Sequence, residues 1–187
     1  MTRLIFVRHA QPNMSWEDDR TRPLTGLGYD DSKEVTLLLS MFHVDSIYSS
    51  PYKRNIDMIA NFAHKLNKEI RICEKLKERK IGEKSSEFLQ MRWDDFNFCE
   101  EGGETLGNIQ QRNIQELFEI VNRHPNECIV IGTHGTALTT ILNYYDSSFN
   151  INYFKQIWHS MPYVIQVDFK GKSMVRTKEL LRIDRGY

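Results

Sequence analysis

The spacing of apolar residues is what most restricts how this chain can fold. Short runs rich in β-branched and aromatic residues lie at Arg3–Val7, Asp45–Ser49, Ile70–Cys73, Cys128–Thr133 and Tyr163–Phe169, with a weaker one at Met174–Thr177. Between them run longer segments in which apolar residues recur every three or four positions. Val35, Leu38, Leu39 and Phe42 mark a helix over Gly28–Phe42, with Thr25 as a cap just upstream. Ile56, Ile59, Ala60 and Ala63 mark another over Arg54–Leu66. Leu106, Ile109, Leu117, Phe118 and Val121 mark a third over Glu104–Val121, entered through Gly102-Gly103, and a fourth helix begins after Gly135. A strand buries alternate residues and a helix buries a stripe, so this alternation predicts an α/β layer fold.

The length of 187 residues suits one domain. The segment from Glu83 to Gly103 holds Trp93, Phe96 and Phe98 among many charges and follows neither period, which makes it a candidate lid or insertion, its aromatics packing rather than stacking on bases. The tail from Gly171 to Tyr187 reads as a final strand and a surface end. Lys+Arg and Asp+Glu both total 25, so no global field draws the chain to nucleic acid or to an anionic membrane. Cys73, Cys99 and Cys128 are an odd, sparse set that fits reduced thiols, and no apolar run approaches the ~18 residues of a membrane span. The expected location is the cytoplasm.

In open α/β sheets the ligand crevice lies beyond the carboxyl ends of the strands. Here those ends carry unusual residues. The first run leads into Arg8-His9-Ala10, the second into Ser49-Ser50-Pro51-Tyr52-Lys53-Arg54, and Ile129-Val130-Ile131-Gly132 into Thr133-His134-Gly135. Arginine forks match phosphate oxygens, and a glycine opening a helix lets backbone amides approach an anion, so this edge reads as a phosphate pocket. A histidine beside two guanidinium groups has its cationic form disfavoured, which keeps an imidazole neutral and nucleophilic near pH 7. His9 is the better candidate for that role, with His134 a second donor to the phosphoryl oxygens. The remaining histidines, His43, His64, His124 and His159, read as structural or surface residues.

These motifs resemble the histidine phosphatase superfamily, the phosphoglycerate mutase-like proteins. The likeness rests on Arg8-His9-Ala10, on Ser49-Ser50-Pro51 with Arg54, on Leu76-Lys77-Glu78 followed by Gly82, and on Thr133-His134-Gly135. Pro23-Leu24-Thr25 with Gly28, and Gly103-Glu104-Thr105 with Arg112, add to it. The resemblance implies a three-layer sandwich, a mostly parallel sheet with helices on both faces. It also implies a phosphomonoesterase of the metal-independent, histidine acid type. His9 would become phosphorylated, Arg8, Arg54 and His134 would hold the phosphoryl group, and Gly135 and Ser15 would contact substrate. Glu78 would be the general acid, with Glu83 as the substitute. No cofactor is implied, and the partner is a phosphorylated small molecule or a phosphoprotein.

Three departures accompany the match. Ala10 stands where glycine is usual, which is tolerable if its φ is negative. Pro12 and Ser15 stand where many members have threonine and asparagine, and the residues after Gly82 do not follow the usual pattern. Trp16 and Tyr52 are expected near the pocket mouth, where they would favour an apolar or aromatic leaving group. The alternatives to a phosphatase are a phosphoglycerate mutase, disfavoured by the short chain, and a non-catalytic phosphate-binding protein of the same fold.

Overall fold

Leu4, Ile5, Phe6 and Val7 are all fully buried, and they alternate between two separate cores. That is possible only for a strand covered on both faces. In the computed structural model, which describes residues 1–185, this strand (β1, Thr2–Arg8) lies inside a six-stranded sheet. The other strands are β2 (Ser46–Ser49), β3 (Ile70–Ile72), β4 (Cys128–Thr133), β5 (Ser160–Lys170) and β6 (Ser173–Asp184), in the order β3-β2-β4-β1-β5-β6. The pairs β3/β2, β2/β4 and β4/β1 are parallel, while β5 runs antiparallel to both β1 and β6.

Two helices, α1 (Gly26–Leu39) and α2 (Lys53–Lys65), cover one face. Their Val35, Leu39, Met58, Ile59 and Phe62 pack on Ile5, Val7 and Val130. The segment Leu89–Asp94 forms the short helix α3, and α4 (Leu106–Arg123), α5 (Gly135–Tyr145) and α6 (Ile151–Ile157) follow. Leu117, Ile120, Leu138, Ile141 and Ile157 from α4, α5 and α6 pack on Leu4, Phe6, Ile129 and Ile131. Each such side chain contributes roughly 1.5–3 kcal/mol on leaving water, so the two cores fix which face every strand residue takes. The caps are side chains close to where helical spacing starts: Thr25 accepts from the Gly28 amide, and Thr105 accepts from the Asn108 amide.

The expected helices and strands are present with ends shifted by a few residues. Two differences are larger. Helix α6 was not anticipated, because seven residues are too few to display a period, although Asn150 caps it by accepting from the Asn152 amide at 2.9 Å. Strand β6 runs well beyond Met174–Thr177, because bulges in its pairing with β5 break the two-residue alternation that would reveal it. The segment from Glu83 to Gly103 is ordered by a 3₁₀ turn at Ser85–Phe88 and by α3, and its Trp93 and Phe96 pack against Leu106, Ile109 and Ala137. Among the described residues no helix is long and apolar enough to cross a membrane.

Register brings the sequence motifs level. Arg8 pairs with Thr133 and Gly132 pairs with Ser49, so the residues that follow, His9, His134 and Ser50, emerge at one edge. Gly132 permits this closeness: a Cβ there would lie 2.8 Å from Ser49 Oγ and 3.3 Å from Ile59 Cδ1. Gly132→Ala should therefore lower stability by about 1–3 kcal/mol through overpacking. Urea unfolding measures this, and an unchanged midpoint would show that the strand ends adjust freely.

Candidate active site

The chain leaves β1 at His9, whose ring is held by its own neighbour: Nδ1 lies 2.8 Å from the Ala10 carbonyl oxygen. A carbonyl only accepts, so Nδ1 carries the proton and the neutral ring keeps its lone pair on Nε2. Arg54, from the first turn of α2, donates through Nε to that Nε2 at 3.3 Å. Ala10 is not among the residues with positive φ, so its methyl group causes no backbone strain at this position.

His134 lies one layer deeper, fully buried and edge-on to His9, with ring centroids 5.4 Å apart. Its Nε2 is 2.7 Å from the Ser50 hydroxyl and 2.8 Å from the Asn55 amide nitrogen. With that amide donating, the proton of the neutral ring sits on Nδ1, which is buried and has no hydrogen-bond partner among the described residues. Burial first, then the Arg54 and Arg8 guanidinium groups, push the His9 pKa well below the usual histidine value. Burial and Arg54 do the same to His134, with smaller repulsions from His9 and Arg8. Both imidazoles are thus neutral at pH 7.

Arg8 is oriented from behind. Its Nη1 donates to the carbonyls of Ile157 and Ser160, and Nη2 to that of Trp158, all at or just beyond the end of α6. Its Nε is buried without a partner among the described residues. Burial lowers the Arg8 pKa to about 10, partly opposed by Glu78, which leaves the group cationic. Gly135 makes room for it, since a Cβ there would stand 3.2 Å from Arg8 Cζ.

Glu78 reaches the same place from a loop. Its Oε2 accepts from the Thr136 amide at 3.1 Å and Oε1 from the Ala137 amide at 3.2 Å, in the first turn of α5. The carboxyl group thus sits at the amino end of α5. Arg112 holds the loop by donating to the carbonyls of Lys75, Lys77 and Glu78 and pairing through two nitrogens with Glu104. The next residue, Arg79, is tied to Glu100, which also binds Arg92 and the Gly82 amide. Although burial opposes it, the Arg79 contact and these donors hold the Glu100 carboxyl well below the usual carboxylate range.

Arg8, His9, Arg54 and Glu78 line one cavity of about 480 Å³. His134 and Gly135 are not in its lining; they pack against the lining residues His9 and Arg8 respectively. Ser15 is not brought there: it is exposed, and its hydroxyl donates to Asn13 Oδ1 at 2.7 Å, while its neighbour Met14 takes the place at the wall. Glu83 is also remote, bordering an outer depression with Phe88 and Phe98. Trp16 turns to Thr21, and Tyr52 packs edge-on against His134 beside a neighbouring hollow, so neither lines this cavity. His159, read from sequence as structural or surface, borders its mouth. Asp19, whose carboxylate bonds both Arg22 and Arg54, Phe154 of α6 and Trp158 just after it were not singled out by any motif. Only a loop and a short helix that fold back over the sheet bring them in.

A family model described as the histidine phosphatase superfamily, branch 1, matches residues 4–178. The chain belongs to that superfamily. It is 31% identical over 150 residues to phosphoserine phosphatase 1 of Hydrogenobacter thermophilus, a match covering 72% of this chain and 71% of the relative. Among solved structures it resembles YhfR of Bacillus stearothermophilus, with a TM-score of 0.78 at 20% identity over 94% of this chain and 95% of the other. The phosphoserine phosphatase of Entamoeba histolytica, solved with 3-phosphoglyceric acid, matches with a TM-score of 0.78 at 20% identity over 97% and 98% of the two chains. Both structures share the mostly parallel α/β fold described above.

The neutral histidines link stability to pH. The unfolded chain binds a proton on each near pH 6.5, whereas the folded protein does not until much lower pH, so stability falls as pH drops below about 6.5, by at most about 1.4 kcal/mol per pH unit per histidine. His134→Gln removes one of these groups. The stability difference between wild type and the variant should shrink between pH 7.5 and pH 5, measured by urea unfolding at both. A constant difference would show that His134 titrates alike in the folded and unfolded states.

Proposed function

We propose that this phosphatase hydrolyses a phosphomonoester through a phosphohistidine on His9, without a metal ion. The observation that carries the reading is the His9 ring itself: Nδ1 is anchored on the Ala10 carbonyl and Nε2 is left as the lone-pair nitrogen beside Arg54. In the first step Nε2 attacks phosphorus, the P–N bond forms and the ester P–O bond breaks. Glu78 gives its proton to the departing alkoxide. In the second step water attacks the phosphohistidine, the Glu78 carboxylate takes its proton, the P–N bond breaks and inorganic phosphate leaves.

The charge on the transferring phosphoryl group needs donors already in place. Arg8 and Arg54 line the cavity beside the nucleophile, with His134 packed edge-on against His9. These cationic and N–H groups supply what a metal supplies in other phosphatases. Glu78 is favoured over Glu83 as the acid because Glu78 lines the cavity with His9. Its three amide bonds, from Arg79, Thr136 and Ala137, also steady the carboxylate formed when it gives up its proton. The substrate class is a small phosphorylated molecule.

His9→Ala should abolish phosphate release from p-nitrophenyl phosphate, and Arg54→Ala should slow it by about 10²–10⁴-fold. Glu78→Gln should slow hydrolysis of alkyl phosphates far more than that of p-nitrophenyl phosphate, whose leaving group needs no proton. A chelator should leave the rates unchanged. Turnover retained in His9→Ala would remove His9 as the nucleophile. Interconversion of phosphoglycerates without phosphate release would make the protein a mutase, and binding without either reaction would make it a phosphate-binding protein.

A further inference from the structure

The floor and the wall of the catalytic cavity differ in chemistry. Cationic and imidazole groups, Arg8, His9 and Arg54, form the floor. Above them the wall is built largely from Pro12, Met14, Ile81, Phe154, Trp158 and Met161. Large apolar side chains are usually withdrawn from water, yet Met14 is 71% exposed, Ile81 67% and Trp158 42%. They cluster at one mouth, and such a cluster marks a surface that expects an apolar occupant. The volume of about 480 Å³ lies within the range of small-molecule sites, so a phosphoryl group at the floor leaves the wall for the rest of the substrate.

Several of the polar groups sharing that wall are engaged by protein partners. Asp19 bonds Arg22 at 2.6 Å and Arg54 at 3.1 Å, and Arg22 Nε donates to the Trp16 carbonyl. Gln11 Oε1 accepts from the Thr25 hydroxyl at 2.8 Å. Arg79 and Arg92, the next cations along the wall, are bound to Glu100 at 2.7 and 3.0 Å. Thr136, Glu78 and His159, the last at the exposed mouth, complete the polar lining. A carboxylate on the leaving group would lie against apolar side chains, away from the guanidinium groups that hold the phosphoryl group or are held by Asp19, and burial without a partner is costly. Resting on the phosphatase reading of this site, we infer that the substrate's leaving group is uncharged and apolar, aromatic or branched-aliphatic in character, and is not an amino acid or a sugar acid.

The test compares kcat/KM for 2-phenylethyl phosphate, phosphoserine and 3-phosphoglycerate, all alkyl esters, with p-nitrophenyl phosphate as an activated control. Wild type is run beside His9→Ala, Trp158→Ala, Met14→Ala and His159→Ala. The expected result is a preference of at least about 10-fold for the phenylethyl ester over phosphoserine, the scale on which apolar pockets discriminate. That preference should fall severalfold in Trp158→Ala and in Met14→Ala. Met14 is on an exposed loop, so the Met14→Ala result does not hinge on folding. Equal or better turnover of phosphoserine or 3-phosphoglycerate overturns the inference, and its loss in His159→Ala would assign the carboxylate to that imidazole. The phosphatase reading survives that outcome if p-nitrophenyl phosphate hydrolysis still depends on His9. A preference untouched by both wall variants overturns the assignment to this wall. Absence of His9-dependent hydrolysis of any ester overturns the phosphatase reading and this inference together.

Discussion

Like charge packed into a small, dry volume is the constraint on which the rest of the structure depends. Arg8 and Arg54 are buried beside His9 and His134, and four cations there would repel one another strongly in a medium that screens poorly. The structure answers by keeping both imidazoles neutral and by giving each arginine fixed acceptors: carbonyls at and after the end of α6 for Arg8, and Asp19 for Arg54. Carbonyls near the end of a helix present partial negative charge, so they hold a guanidinium without cancelling it. The short helix that no period announced is therefore the support for the first arginine.

A second tier of ion pairs fixes the carboxylate side. Arg112 gathers three carbonyls of the Glu78 loop and is balanced by Glu104, so the loop is held by its backbone and the Glu78 side chain stays on α5. Glu100, buried among Arg79, Arg92 and the Gly82 amide, fastens the segment from Glu83 to Gly103 to that loop. Gly82 must be glycine, because a Cβ would fall 2.3 Å from the Glu101 carbonyl oxygen. Breaking a buried pair leaves an uncompensated charge, so this network favours one arrangement even where its net contribution to stability is small.

Much of this was legible in the sequence. Five apolar runs became strands, and Arg8, His9, Arg54 and Glu78 came to one cavity, because strand ends in a parallel sheet meet at a common edge and each motif stood next to its run. Other features were not legible. Ser15 lies one residue from the wall and points elsewhere, since the loop after β1 turns on Asn13 and no periodicity governs a loop. Trp16 was expected at the mouth, but its indole is satisfied by Thr21 within its own loop. Phe154, Trp158 and Asp19 carry no local signature of a site at all.

The sequence by itself determined the layers, the two-sided burial of β1 and β4, and the kinds of group that gather at the carboxyl edge. Those follow from periods of two and 3.6 residues and from residues adjacent to them, which are local properties of the chain. Only the tertiary structure decided which nitrogen of His9 carries the proton, which glutamate shares its cavity, and which apolar residues wall the space above the floor. Each depends on a contact or a shared surface between segments, or on where one carbonyl points, and such arrangements are set by how helices and loops pack across the sheet.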